Sequence, residues 1–163
     1  VQIRPLDPVA DRGVVWRLLE RAADYYRLWK GRAACAADVD EIFENIPPGC
    51  DPALSHRLGF FEGAELVGVA ELSFGFPAES DAYLGLMILA PHARSRGLGP
   101  LFLAEVEAIA RQHGAPALYL AVLEQNPRGR AFWARSGFTP TGVQREMVEN
   151  GIHHRLFRLK KPL

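Results

Sequence analysis

The chain has 163 residues, with 19 acidic side chains balanced by 19 basic ones. That length is enough for one domain with a sizeable core, and the zero formal charge argues against a protein held mainly to nucleic acid, which takes a broad basic excess. No apolar run approaches a membrane span and no leader segment is visible, so the expectations are a single domain over residues 1–163, a cytoplasmic location, and neither nucleic acid nor membrane as partner.

In chain order, Val1 to Arg4 reads as a short strand. Asp7-Pro8 offers an N-cap and a first-turn proline. Val15, Leu18, Leu19, Ala22, Tyr26 and Trp29 follow at helical spacing, predicting a helix that stops near Gly31. Asp38 to Asn45 predicts a short helix, closed by Pro47-Pro48-Gly49. Cys35 and Cys50 lie in this loop-rich region and read as free thiols, with a disulfide between them as the alternative. Arg57–Glu62 and Glu65–Phe74 read as strands joined at Gly63-Ala64. In the second of these Leu66, Gly68, Ala70 and Leu72 alternate with Val67, Val69 and Glu71, so both faces are expected to be buried.

A fourth strand is expected from Asp81 to Leu89, then a glycine loop, then a helix with Leu98, Leu101, Phe102, Val106, Ile109 and Ala110 on one side. Gly114 and Pro116 close that helix. Ala117–Leu123 is expected as a fifth strand and the segment around Phe132 and Trp133 as a helix ending near Gly137. Val143–Glu149 and Ile152–Leu159 form a last hairpin turned by Asn150-Gly151, where both central residues need positive φ. The sum is an α/β protein with a mixed, mostly antiparallel sheet of six or seven strands flanked by helices. Its fourth and fifth strands run parallel.

The stretch from Leu84 to Pro100 carries the chemistry. An apolar strand passes through Pro91 into Arg94-Ser95-Arg96-Gly97-Leu98-Gly99 and opens a helix. Glycine lets a ligand approach the backbone closely, and free amides at a helix N-terminus suit a phosphate. The loop lacks the Gly-Lys-Ser/Thr of a Walker loop and the third glycine of a dinucleotide fingerprint. No cysteine and histidine spacing suggests a metal.

Arg94-x-x-Gly97-x-Gly99 resembles the Arg/Gln-x-x-Gly-x-Gly/Ala signature of the GNAT superfamily of acyl-CoA N-acyltransferases. Leu89-x-Pro91 precedes it as the end of that family's strand 4 does. Asn126, Ala131, Phe132, Trp133, Gly137 and Phe138 resemble its Asn…Ala-x-Phe-Tyr…Gly-Phe segment, with Ala131 displaced. The resemblance implies acetyl-CoA as cofactor, its pyrophosphate on Arg94, Ser95, Arg96, Gly97, Leu98 and Gly99. The pantetheine arm would run along Met87, Ile88 and Leu89, helped by a bulge near Gly85, with Asn126, Phe132 and Trp133 beside it. Pro100 departs from the pattern by removing an N–H that many members aim at phosphate.

The implied reaction is attack by a primary amine, of a small molecule or a peptide, on the thioester in a ternary complex. The Leu89 N–H is the candidate to polarise the carbonyl. Glu71, a lone carboxylate in an apolar strand, is the candidate base, since burial raises a carboxyl toward a useful range. Tyr83 stands near the place where many members carry a glutamate. Trp133 stands where the family usually has a tyrosine acid, and indole is a donor but not an acid. That departure keeps a second reading alive, an acyl-CoA-binding sensor without catalysis. Asp24, Tyr25, Tyr26, Trp29, Phe74, Phe76, Asp81 and one of His153 and His154 are candidates for the acceptor cleft. Arg128 and Arg130 are candidates for the nucleotide phosphates. Dimers are common in the family.

Overall fold

The computed structural model describes residues 1–163. Seven strands form one sheet: β1 (Gln2–Pro5), β2 (His56–Glu62), β3 (Glu65–Phe74), β4 (Ala82–Leu89), β5 (Ala117–Leu123), β6 (Thr139–Glu149) and β7 (Ile152–Pro162). The order across the sheet is β1-β2-β3-β4-β5-β7-β6. Only β4 and β5 are parallel neighbours, as a crossover through an intervening helix requires. The five helices are α1 (Arg12–Arg21), α2 (Ala23–Lys30), α3 (Ala36–Glu44), α4 (Leu98–Gln112) and α5 (Pro127–Arg135).

Both faces of β3 are buried from Leu66 to Ser73, which explains its near-continuous apolar run. A Cβ at Gly68 would lie 3.2 Å from the Phe102 ring of α4. That places α4 on the face of Gly68, Ala70 and Leu72. By alternation Val69, Glu71 and Ser73 point to the other face, where α1 packs on β3 and α3 packs on α1. In α4, Leu98, Phe102, Val106 and Ala110 are buried, one side chain per turn, and the Phe102 ring meets Phe60 at 5.1 Å.

The first helix differs from its expected extent. The Asp7 carboxylate accepts from the Val9 and Ala10 N–H groups at 2.8 and 2.7 Å, closing a turn instead of starting a helix. The helix waits until Arg12, after Asp11 has accepted two hydrogen bonds from Arg4 and one from the Asp7 N–H. It breaks at Ala22, whose φ of −88° and ψ of 29° leave the helical region, and α2 then ends at Gly31 with φ 71°. The last two strands run longer than expected, because an irregularity between Pro140 and Gln144 lets β6 keep its pairing with β7. Cys35 and Cys50 are both free thiols.

Candidate active site

The site begins where β4 and β5 part. They pair only at Ala82–Leu118 and Tyr83–Tyr119. Beyond those rungs each strand continues without the other, so the centre of the sheet opens into a wedge. One cause is on β4. Glu71 pairs with Leu86 and Leu72 with Leu84, leaving Gly85 as an extra residue, and such a bulge bends its strand. A Cβ at Gly85 would lie 3.3 Å from Glu71 Oε2, so the glycine makes room for that carboxylate.

The free edge of β4 follows from the ladder on its other side. The Ala90 N–H donates to the Val67 carbonyl at 2.8 Å. Hydrogen-bonded and non-hydrogen-bonded pairs alternate in an antiparallel ladder, so Gly68–Leu89 and Ala70–Met87 are non-hydrogen-bonded. The backbone groups of Met87 and Leu89 therefore turn from β3 toward the wedge. The Leu89 carbonyl accepts from Arg94 Nε at 3.0 Å, which leaves its N–H facing the opening. Ile88, between them, gives its backbone to β3 and its side chain to the core.

Past β4 the loop turns through Ser95, at φ 58°, and Gly97, at φ 77°, into α4. No N–H from Ser95 to Gly99 donates to any protein group. Five consecutive free amides at the start of a 15-residue helix make a cradle of donors that can accept an anion. A Cβ at Gly97 would meet nothing within 4 Å, whereas one at Gly99 would lie 2.9 Å from the Phe132 ring. Gly97 thus serves the turn, and Gly99 serves the packing of α4 on α5.

The wedge deepens into a cavity of about 240 Å³ whose walls include Tyr25, Tyr26, Trp29, Glu71, Asn126 and Trp133. Glu71 is 5% exposed and makes no hydrogen bond or ion pair. Burial raises its carboxyl from the ordinary range to about 8, against a smaller opposing pull from Arg57, which stands opposite it in the β2 ladder without bonding it. Burial also raises the phenols of Tyr25, Tyr26 and Tyr83. The cavity floor is braced by Lys30, whose ammonium donates to Asp38 at 2.6 Å and Glu41 at 2.8 Å. Arg32 closes the group on Asp38 at 2.7 Å. Burial opposes charge on Asp38, but the hydrogen bonds from Arg32 and Lys30 outweigh it and hold that carboxyl below its usual range.

The model of the acetyltransferase (GNAT) family matches residues 33–138, more than half of the chain. The chain belongs to the acetyltransferase (GNAT) family. Solved GNAT-like folds agree with it over nearly their whole length. An acetyltransferase from Thermus thermophilus is 26% identical, with TM-score 0.74, covering 99% of this chain and 96% of that one. A ribosomal-protein-alanine N-acetyltransferase from Brucella melitensis is 21% identical, with TM-score 0.76 and full coverage of both chains. A putative acetyltransferase from Salmonella typhimurium, solved with its cofactor acetyl-CoA, is 19% identical, with TM-score 0.72, covering 99% and 93%. Among curated sequences, a protein called DNA repair protein RecO from Stutzerimonas stutzeri (strain A1501) is 34% identical over 98 residues, 58% of this chain and 41% of that one. The chain therefore spans well under half the length of that relative. Family and fold support acyl transfer from acetyl-CoA in general terms.

Within this GNAT frame the expected site residues fall into three groups. Met87, Leu89, Ser95, Gly97, Leu98 and Gly99 line the free strand edge and the amide cradle. Glu71, Tyr83, Asn126 and Trp133 line the cavity. The remaining side chains are engaged elsewhere. Arg94 makes two hydrogen bonds to Asp24 besides its bond to Leu89, and Arg96 makes two to Glu62 at 2.9 and 2.8 Å. What the loop offers an anion is thus mainly its amides, since both guanidinium groups are paired with carboxylates. Asn126 Oδ1 caps α5 by accepting from Gly129 N–H at 3.0 Å, and its own amide donates to no protein group. Phe132 packs on Gly99 and Trp133, and Trp133 also meets Phe138 at 5.3 Å. Arg128 reaches Ser95 Oγ at 3.5 Å, while Arg130 lies over Phe157.

Several acceptor candidates lie outside the cleft. Asp81 accepts from the Ala78 N–H and Phe74 stacks on His113 at 4.0 Å. His153 is exposed. His154 is buried and bonds the Trp29 carbonyl at 2.7 Å, fastening the end of α2 to β7. Sequence reasoning passed over Arg57, Asn45, Arg145 and Arg158, all near Glu71 or Tyr83. The signal for the last two was that the residues two places away on either side, Val143 and Met147 around Arg145 and Leu156 and Lys160 around Arg158, include no acid.

Proposed function

We propose that this protein is an N-acetyltransferase that carries an acetyl group from acetyl-CoA to a primary amine by direct attack in a ternary complex, with residues 1–163 acting as one domain. The observation that carries it is a buried, unpaired Glu71 at the mouth of a wedge whose other wall is the free edge of β4. When bound, acetyl-CoA supplies the activated acyl group. The amides from Ser95 to Gly99 hold its pyrophosphate, and the backbone of Met87 and Leu89 holds its pantetheine arm, with the Asn126 amide as a further donor. The residues present fit that group: the cradle has room at Gly97 and donors with no other use.

The chain's own groups then divide the work. The Leu89 N–H donates to the thioester carbonyl where negative charge develops. Glu71 takes the proton of the incoming ammonium. An alkylammonium sits near pKa 10.4, so a carboxylate near 8 narrows the gap in proton affinity from about six decades to between two and three. Tyr83 keeps its proton under burial and serves as a donor, not as the base. Trp133 shapes the pocket. A thiolate with pKa of about 8.5 leaves without an enzymic acid, and burial keeps the Tyr25 and Tyr26 phenols protonated, so neither is assigned that role.

Release of free thiol from acetyl-CoA, followed across a panel of primary amines, tests the proposal. Amine-dependent release supports it. Acetyl-CoA binding with no turnover on any amine would instead favour a sensor, the reading that Trp133 keeps open.

A further inference from the structure

Beyond Glu71, Gly85 and Tyr83 the cavity continues into a second chamber of about 270 Å³, roofed by Asn45 to Pro48 and walled by the last hairpin. Two arginines project into it. Arg145 on β6 stands opposite Leu156 on β7. Arg158 lies two residues further along β7, opposite Ala121 of β5. Residues two apart on a strand share a face, and a diagonal neighbour is within reach of a long side chain. Ala121 and Gly85 are exposed although they lie mid-strand in the centre of the sheet, because small residues there leave the chamber open.

Neither arginine has an acidic partner. Arg145 touches Met147 Sδ at 3.4 Å, and the Arg158 guanidinium lies over the Phe76 ring at 5.0 Å. Phe76 in turn sits edge-on to Tyr83 at 5.1 Å, which ties Arg158 to the rim of the Glu71 cavity. Other arginines do find acids: Arg94 pairs with Asp24, Arg96 with Glu62, and Arg155, on the same hairpin, with Glu124 and Glu146. Both free guanidinium charges are felt at the Tyr83 phenol, which they pull down against its burial. Two adjacent like charges in one chamber repel until an anion joins them, and a guanidinium pair matches the oxygens of a carboxylate or phosphonate.

Their position separates them from the anion cradle. Arg158 pairs with Ala121, two residues past the Tyr83–Tyr119 rung, level with the Gly85 bulge. The cradle begins at Ser95, beyond the end of β4. The chamber instead joins the place where the amine must stand to reach Glu71.

We infer that the acceptor is a small amine that also carries an anionic group, a carboxylate or a phosphorus acid, with the anion held by Arg145 and Arg158 and the amine turned toward Glu71. This rests on the acyl-transfer reading above and narrows it to amino-acid-like acceptors.

The test compares amino acids, their carboxamides and aminophosphonates of matched side chain, each assayed with acetyl-CoA for thiol release and, separately, for a rise in thermal midpoint. The wild type is expected to prefer at least one anionic class over the carboxamides by about 10- to 100-fold in kcat/KM, the usual reach of a charge-assisted hydrogen bond. In the Arg145→Gln/Arg158→Gln double variant that preference falls to within about threefold, while acetyl-CoA affinity is retained. The single Arg145→Gln change, at an exposed position, gives a partial loss should the double variant fold poorly. Carboxamides used as well as the acids, or a preference that survives both substitutions, would overturn the inference and leave acyl transfer standing. A double variant that loses acetyl-CoA binding would also overturn it, by assigning the arginines to the cofactor. If no amine is turned over, the acyl-transfer reading fails. The pocket is then read from the midpoint alone: a rise with the anionic amines that the double variant lacks supports it, and no rise overturns it.

Discussion

Glu71→Gln separates the two things that the buried carboxyl does. At 5% exposure and without a partner, the charged form of Glu71 is costly, and burial raises the group to about 8. A carboxyl whose folded value lies above its unfolded value binds more protons in the folded state. Folding stability therefore falls as pH rises from about 4.5 to about 8. At about 1.4 kcal/mol per decade, the full loss is on the order of 4–5 kcal/mol. Glutamine has the shape of the protonated acid and cannot ionise, so the variant is expected to hold its stability across that window and to exceed the wild type at pH 8 and above. Activity should move the other way. Removing a general base typically costs about 10²- to 10⁴-fold, or roughly 3–5 kcal/mol of transition-state stabilisation. The assay is kcat/KM for thiol release from pH 6 to 9.5, beside denaturant unfolding at the same values. The wild type should show a limb that rises toward about 8, and the variant should lack it. A variant within threefold of the wild type, or one that keeps the limb, would refute Glu71 as the base. Unfolding curves with the same pH dependence in both would refute the burial argument itself.

Tyr83→Phe should leave the rising pH limb in place, since burial keeps that phenol protonated; loss of the limb would transfer the base to Tyr83. Asp38→Ala leaves the buried Lys30 with Glu41 as its one remaining carboxylate and should cost about 1–3 kcal/mol in urea unfolding. Asp38 is held below the ordinary carboxyl range, so its contribution is present above that range and is lost as pH falls through the lower, folded value. Gly99→Ala drives a methyl group to 2.9 Å from Phe132 and should destabilise by about 1–3 kcal/mol, read as a lower midpoint together with weaker acetyl-CoA binding. Trp133→Ala, at a site 8% exposed between Phe132 and Phe138, should cost about 3–5 kcal/mol by cavity formation.

The elements most legible in the sequence were those whose pattern and punctuation agree. Gly63-Ala64 and Asn150-Gly151 stand between alternating runs, and both hairpins turn there. The run from Ala117 to Leu123 is β5 to the residue. The motif around Arg94, Gly97 and Gly99 pointed to the acetyltransferase (GNAT) family, and the family model matches across it. The start of the first helix was misleading because Asp7-Pro8 has the chemistry of a helix cap and of a tight turn alike; the Arg4–Asp11 pairing, seven residues apart, favours the turn. Side-chain partnerships across the sheet were not legible. Arg94 and Asp24 are 70 residues apart, and nothing local shows that the loop's arginines are already paired with carboxylates. Arg145 and Arg158 likewise become neighbours only once the Asn150-Gly151 turn fixes the register of β6 on β7.

The thermal midpoint with and without acetyl-CoA, for the wild type and for Gly97→Trp, tests the central claim most directly. A Cβ at Gly97 meets no protein atom within 4 Å, so an indole there occupies the space above the amide cradle, at the cost of a residue held at positive φ. At about one hundred times its dissociation constant, acetyl-CoA should stabilise the wild type by about 2.7 kcal/mol, a rise of roughly 5–11 °C for a chain of this size. The Gly97→Trp protein should fold, with a lower midpoint of its own, and show no rise. A wild type unmoved by millimolar acetyl-CoA, or a folded variant that responds as the wild type does, would contradict the assignment of this loop as the site of the acyl donor.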